Sequence, residues 1–341
     1  MKRKNRALFF LTAFLAFYIA VSFINGYAEK RLNYVVNATP EQAVATCLSG
    51  WNCRVALDLP IDKAGYYVTL QHELARQVPQ ESKRPCIDLR IHGTSSKSSV
   101  AILGGMGPLS DARILECVIS RLKGNKMEGD IHLLSAPPPR TFIEILTGLP
   151  SYLIQLRRFL HQDHHMVYLA SNTAHIHYRF LNWLGKNNIV DLTAYIADQA
   201  KSATDDACVL ILGTKKAHDE LLYDSRLEQK GVRFISISFS QQLVVQEAID
   251  KIKEGIKDDS DEKIYSLVEE IVRMRYRENK PVNILLIGCT ELSILLEAKR
   301  KEIERLGLLI LDSEKLFIEK ICNDIATTQS ITLPSCATVL P

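Results

Sequence analysis

From Val100 onward the chain repeats one pattern: a short apolar run, a turn, then a longer amphipathic stretch. The apolar runs are Val100–Leu103, Ile131–Leu134, Met166–Ala170, Val209–Leu212, Val232–Ile237 and Ile284–Ile287. Runs this short and this uniformly apolar suit strands buried on both faces. Between them the spacing predicts helices over Ala112–Leu122, Thr141–His161, Thr173–Gly185, Lys216–Lys230, Gln242–Lys257 and Asp261–Glu278. Strands alternating with helices imply βαβ units and parallel sheets. The expected fold is therefore α/β, with two open, mainly parallel-sheet domains and an N-terminal extension. In such folds ligands sit beyond the carboxyl ends of the strands, which places the active site in the cleft between the domains.

The expected boundaries are 1–28 for a targeting segment, 29–97 for an extension of unknown role, 98–200 for the first domain, 201–309 for the second, and 310–341 for a return to the first. With 341 residues, 47% of them hydrophobic, the chain can bury a core large enough for two domains. The formal net charge of +3 includes Lys2, Arg3, Lys4 and Arg6, so the chain after residue 28 carries a net −1. A nearly neutral body with no basic stripe excludes a nucleic-acid footprint.

Those early cations precede an apolar run from Ala7 to Ile24 and then Gly26-Tyr27-Ala28, small residues where a signal peptidase needs them. The expectation is an exported chain, periplasmic or secreted. The alternative is an uncleaved anchor formed by residues 7–24, the chain's one expected membrane contact. In residues 29–97, Pro40, Pro60, Pro79 and Pro85 interrupt any long element. One short helix is predicted from Glu41 to Leu48, capped by Thr39, and His92–Ser99 reads as a linker. Eight cysteines, at 47, 53, 86, 117, 208, 289, 322 and 336, match no zinc spacing. Cys47, Cys53 and Cys86 share one segment and could pair in an oxidising compartment, whereas Cys117 and Cys208 read as buried thiols. His161, His164 and His165 lack a supporting carboxylate or thiol spacing, so no metal is expected.

Three motifs each follow a predicted strand: Leu103-Gly-Gly-Met-Gly-Pro108, Ala170-Ser-Asn-Thr-Ala-His175 and Ile287-Gly-Cys-Thr-Glu-Leu292. Each puts small or hydrogen-bonding residues where a strand turns into a helix, and backbone N–H groups there can hold a carboxylate. The first motif lacks both the spacing of a dinucleotide fold and the lysine of a phosphate loop. Taken together and in this order, the three resemble the aspartate/glutamate racemase family over roughly residues 98–325. The first and third match the family's G-G-M-G-P and G-C-T-E turns. The second departs from its C-N-T-A-H turn, because Ser171 stands at the first cysteine.

The resemblance implies a cofactor-independent isomerase acting on aspartate or glutamate. Cys289 and Ser171 would occupy the two catalytic positions, on opposite faces of the substrate α-carbon. Arg140 in Pro139-Arg-Thr141 would hold the side-chain carboxylate, helped by Lys257 in Glu254-Gly-Ile-Lys257. Asn172, Thr173 and Thr290, with the Gly105-Met106 turn, would bind the rest of the substrate. Asp312 resembles the family's acidic turn back to the first domain, and a homodimer is implied. A thiol with an ordinary pKa of about 8.5 needs only modest help to form thiolate near neutrality. A serine hydroxyl does not ionise there, so the expected chemistry is lopsided, with Cys289 as the main acid/base. Two rivals stay open: an exported binder of acidic amino acids, or a degenerate homologue, and single-thiol chemistry such as a decarboxylation. Mass spectrometry of the protein from its native cell is expected to find a mature start at Glu29. A full-length, soluble cytoplasmic species would contradict export.

Overall fold

The computed structural model describes residues 34–36, 39, 42, 54–77, 86–93, 99–104, 108–124, 129–136, 152–162, 164–185, 188–253, 256 and 258–328. Their strands form two open sheets. The first holds β1 (Tyr34–Val36), β2 (Arg54–Pro60), β3 (Cys86–His92), β4 (Ser99–Gly104), β5 (Asp130–Ser135) and β6 (Met166–Leu169), in the order β1-β2-β3-β5-β4-β6. The second holds β7 (Cys208–Gly213), β8 (Arg233–Ser236), β9 (Ile284–Gly288) and β10 (Leu309–Asp312), in the order β10-β9-β7-β8. Every pairing is parallel except β3 with β5. The two mainly parallel sheets agree with the expected fold class. All residues of β7 and β9 are buried, as strands covered on both faces require.

Helices cover these sheets: α1 (Gly65–Gln77), α2 (Pro108–Gly124), α3 (Tyr178–Leu184), α4 (Leu192–Ala203), α5 (Lys215–Asp219), α6 (Asp224–Gln229), α7 (Phe239–Lys253), α8 (Ser260–Arg277), α9 (Thr290–Leu295), α10 (Arg300–Arg305) and α11 (Ser313–Thr328). The helix predicted over 216–230 is two short ones, because Leu221 between them takes a positive φ of 50°. The stretch predicted helical from Thr173 opens as a 3-10 turn, Thr173–His177, before α3. Of the stretch 141–161, residues 152–160 are helical and 141–151 lie outside the described residues. At Thr39 the predicted cap is present: its Oγ1 accepts from the Gln42 N–H at 3.2 Å while Gln42 Oε1 accepts from the Thr39 N–H at 3.0 Å.

Strands β1, β2 and β3 form one edge of the first sheet. A single cross-strand row, Leu57–Leu89–Leu133–Ile102–Tyr168, runs through five strands and lies in one core. Tyr67, Leu70 and Leu74 of α1 fill that core beside Leu115 and Val118 of α2. The same core continues into the second sheet through Val209, Ile211, Ile284 and Leu286, and α11 closes it with Phe317, Ile321 and Ile325. After β10 the chain thus packs α11 back onto α2 of the first domain.

A chain lacking residues 1–97 would strip β5 of its antiparallel partner. It would also lose the three buried α1 side chains, each worth about 1.5–3 kcal/mol on burial. It is expected to lose cooperative thermal unfolding by circular dichroism, while a chain lacking only residues 1–28 keeps it. An unchanged midpoint in the shorter chain would show that the edge is dispensable.

Candidate active site

Cys289 is the first residue after β9, which lies inside the second sheet between β10 and β7. It occupies the N-cap position of α9 in extended conformation (φ −151°, ψ 134°) and is 3% exposed. Its Sγ–H donates to Glu291 Oε2 at 2.9 Å, and the Thr290 hydroxyl donates to the same oxygen at 3.1 Å. That use of its proton makes Thr290 the acceptor from Ser110 Oγ, 2.8 Å away on α2 of the first domain. The sequence-based expectation of ready thiolate is corrected by this geometry. Burial first, and then the Glu291 carboxylate, push the Cys289 thiol well above its ordinary pKa, and the N–H groups of Glu291 and Leu292 do not compensate. At rest Cys289 is a proton-loaded thiol.

The turn before it is equally constrained. A Cβ on Gly288 would lie 2.5 Å from Tyr223 Cε2, so only glycine fits. The Tyr223 hydroxyl donates to the Gly288 carbonyl at 3.3 Å, and burial followed by the nearby Cys289 raises its pKa. Ser313, fully buried at the start of α11, accepts from Asn172 Nδ2 at 2.8 Å. The Oδ1 of Asn172 is buried without a hydrogen-bond partner. Thr173 Oγ1 lies 3.2 Å from Thr214 Oγ1, a second contact between the domains.

Ser171, half-buried, follows Ala170 at the carboxyl end of β6. His175 serves its backbone: Nδ1–H donates to the Ser171 carbonyl at 3.1 Å, and Nε2 accepts from the Leu192 N–H at 3.3 Å. These partners fix the neutral tautomer, and burial lowers the imidazole pKa against the pull of Asp191. His175 therefore orients the turn rather than activating the hydroxyl, and His177 is exposed. Of the other histidines, His161 bonds the Leu184 carbonyl, and His164 meets His132, which is bonded to Asp88.

Asp312 ends β10 and gathers four donors: Ser293 Oγ, Arg300 and the N–H groups of Glu314 and Lys315. It ties α9 and α10 to the start of α11, the turn back to the first domain. Beside it Glu314 is 3% exposed and pairs with Arg113 Nε at 2.7 Å. Burial raises the Glu314 carboxyl to about 7, only partly offset by Arg113. With the folded pKa raised, its contribution to stability falls as pH rises from the ordinary carboxylate range toward 7.

Cys289, Thr290, Asn172 and Thr173 thus share one junction, while Arg140, Lys257, Gly105 and Met106 lie outside the described residues. The sequence reading assigned no role to Glu291, Ser110, Tyr223, Ser313 or Glu314. Glu291 and Ser110 stood in or beside motifs and could have been found there. Ser313 follows Asp312 in the acidic turn and could also have been found there, whereas Tyr223 carries no local signal, since only folding brings it to the strand end. No disulfide joins the described cysteines, 86, 117, 208, 289 and 322, to one another, and Cys47, Cys53 and Cys336 lie outside the described residues.

Neither a protein-family model nor a curated protein sequence matches the chain. Solved structures do. A candidate Asp/Glu racemase from Yersinia pestis aligns with a TM-score of 0.54 at 17% identity, over 67% of this chain and 99% of its own. An aspartate racemase homologue from Pyrococcus horikoshii OT3 aligns with a TM-score of 0.51 at 18% identity, again over 67% and 99%. Two thirds of this chain therefore carries the whole fold of these racemase-type proteins.

Because the Glu291 charge helps hold the proton on Cys289, Glu291→Gln should ease ionisation. Site-resolved alkylation of Cys289 followed against pH is expected to move its midpoint to lower pH in the variant. A midpoint that stays or rises would remove Glu291 from the control of the thiol.

Proposed function

We propose that the chain is a racemase-type isomerase of an acidic amino acid that works without a cofactor by removing and returning the α-proton. The observation that carries this reading is the proton-loaded Cys289 thiol, bonded to Glu291 where the strand ends of both sheets converge. The fold shared with racemase-type proteins supports it.

Burial does two things to such a thiol. It suppresses thiolate at rest, and it makes the thiolate, once formed, a stronger base. An α-hydrogen is a very weak acid, so a stronger base is what the step needs. Glu291 is placed to take the thiol proton, after which the Cys289 sulfur accepts the α-proton and becomes thiol again. The unpartnered Asn172 Oδ1 suits the substrate ammonium, and the N–H groups at the start of α9 suit the carboxylate that gains charge in the transition state. In this reading Arg140 and Lys257 take the second carboxylate. Ser171 faces the other side of the α-carbon as proton donor or orienting group. Export and a homodimer belong to the same proposal.

The test is exchange of the α-proton of L- and D-aspartate in heavy water, with protein lacking residues 1–28. Cys289→Ser is expected to abolish exchange of both enantiomers. Ser171→Cys should raise exchange of the slower one, by about 10²–10⁴-fold if a full acid/base partner is restored. At equilibrium the enantiomers stay equal, so the asymmetry appears in rates alone. Full exchange in Cys289→Ser would make the thiol structural. Aspartate binding without any exchange would favour a binding protein, and carbon dioxide release would favour single-thiol decarboxylation.

A further inference from the structure

The far end of the second sheet carries a cleft that the candidate active site does not use. Its volume is about 530 Å³, and it opens where β7 and β8 begin, at Cys208 and Arg233. Cys289 follows Gly288, which pairs with Gly213 at the other end of β7. A strand's length, roughly 17–20 Å, therefore separates the two places. The cleft wraps round the start of β8, the edge strand of its sheet. On one face stands the end of α6, whose Leu227 packs in the core shared by both sheets. On the other stands the end of α8, whose Ile271 packs in the second core. Each helix is closed by its own main chain. Gly231 (φ 68°) and Asn279 (φ 54°) take left-handed backbone, and the next N–H groups, of Val232 and Lys280, donate to the carbonyls of Leu227 and Arg275 at 2.9 and 3.0 Å. These carbonyls therefore do not draw on the nearby cationic side chains.

The described lining residues set Arg233, Arg275 and Lys280 against one carboxylate, that of Glu228. A cleft lined mainly by one sign of charge concentrates counter-ions of the other. The partners these cations already have leave them short. Arg275 Nη1 donates to Glu278 Oε2 at 2.9 Å, while its Nε is buried with no hydrogen-bond partner. Arg233 Nη2 donates to the Asp206 carbonyl at 3.1 Å and stands 3.8 Å from an Asp206 carboxylate that is 96% exposed. Lys280 is exposed, and its ammonium pairs with no described acid. A buried donor without an acceptor is costly, and two oxygens of one anion complete a guanidinium fork. Beside the cations, Val232 and Phe234 supply an apolar wall. We propose that this cleft is a second binding site, for a small organic oxyanion. A phosphate or carboxylate group would sit among Arg275, Arg233 and Lys280, with an apolar body against Phe234. This site is independent of the isomerase reading.

Calorimetry on the full chain at constant ionic strength tests it, with phenyl phosphate, benzoate, inorganic phosphate and phenol as probes. Phenyl phosphate or benzoate is expected to bind at one saturable site, and the tighter of the two names the acid group. Inorganic phosphate, without the ring, should bind more weakly, and uncharged phenol should not bind. Arg275→Gln should weaken binding roughly ten- to hundredfold, the range for one charge-assisted hydrogen bond. Lys280→Glu reverses a charge at an exposed position where folding is not at stake, and should weaken binding by about fivefold or more. Hydrogen exchange read by mass spectrometry should slow over 228–234 and 275–280 when the ligand is bound, and stay unchanged over 286–292, around Cys289. Three results would overturn the proposal: protection around Cys289 in place of the cleft, an affinity that both variants leave unchanged, or no binding of phenyl phosphate and benzoate alike.

Discussion

A polar side chain buried between two sheets has no water to fall back on, and leaving it unpaired costs about 1–3 kcal/mol. At the carboxyl ends of β6 and β9 that constraint links the domains. Asn172 of the first donates to Ser313 at the turn back from the second, and Ser110 joins Thr290. Thr173 and Thr214 make the third contact. The residues that close the domain junction are therefore the residues of the candidate site, or their immediate neighbours. Any ligand entering there must replace these bonds with its own, which favours a small, richly polar molecule over an apolar one.

The same burial sets the character of the ionisable groups. Cys289 keeps its proton because its surroundings are apolar and its bonded partner is a carboxylate. His175 stays neutral because it is buried with both ring nitrogens committed to backbone, one to Ser171 of its own turn and one to Leu192 at the start of α4. Glu314 is pushed toward neutrality despite Arg113. One environment thus yields a stored proton, a fixed neutral imidazole and a carboxyl that titrates near pH 7. The turn at Ser171 takes its shape from its own carbonyl, which accepts from the His175 ring and the Ala174 N–H.

The long first segment shows how a sheet can hide from its sequence. Arg54–Pro60 and Cys86–His92 alternate polar and apolar residues near prolines, and they stand beside no recognised motif. As strands they make sense only once β5 offers an edge, because their apolar residues fall in register with Ile131 and Leu133. A register is a relation between distant segments, and no local pattern contains it. The strand β10 was hidden for a similar reason, since Leu309–Asp312 is too short to declare itself before it pairs with β9.

What the sequence determined by itself was the alternation of buried strands with amphipathic helices from Val100 onward, and the strand-end places of Ser171 and Cys289. Both are local: an apolar run followed by glycine or a capping residue decides its own element and ending. The tertiary structure alone decided that Glu291 faces the thiol, that His175 serves the backbone, and that Tyr223 and Ser313 stand beside the strand ends of the site. Proton affinity and hydrogen-bond choice depend on which groups share a buried volume, and that volume exists only after the two sheets have packed.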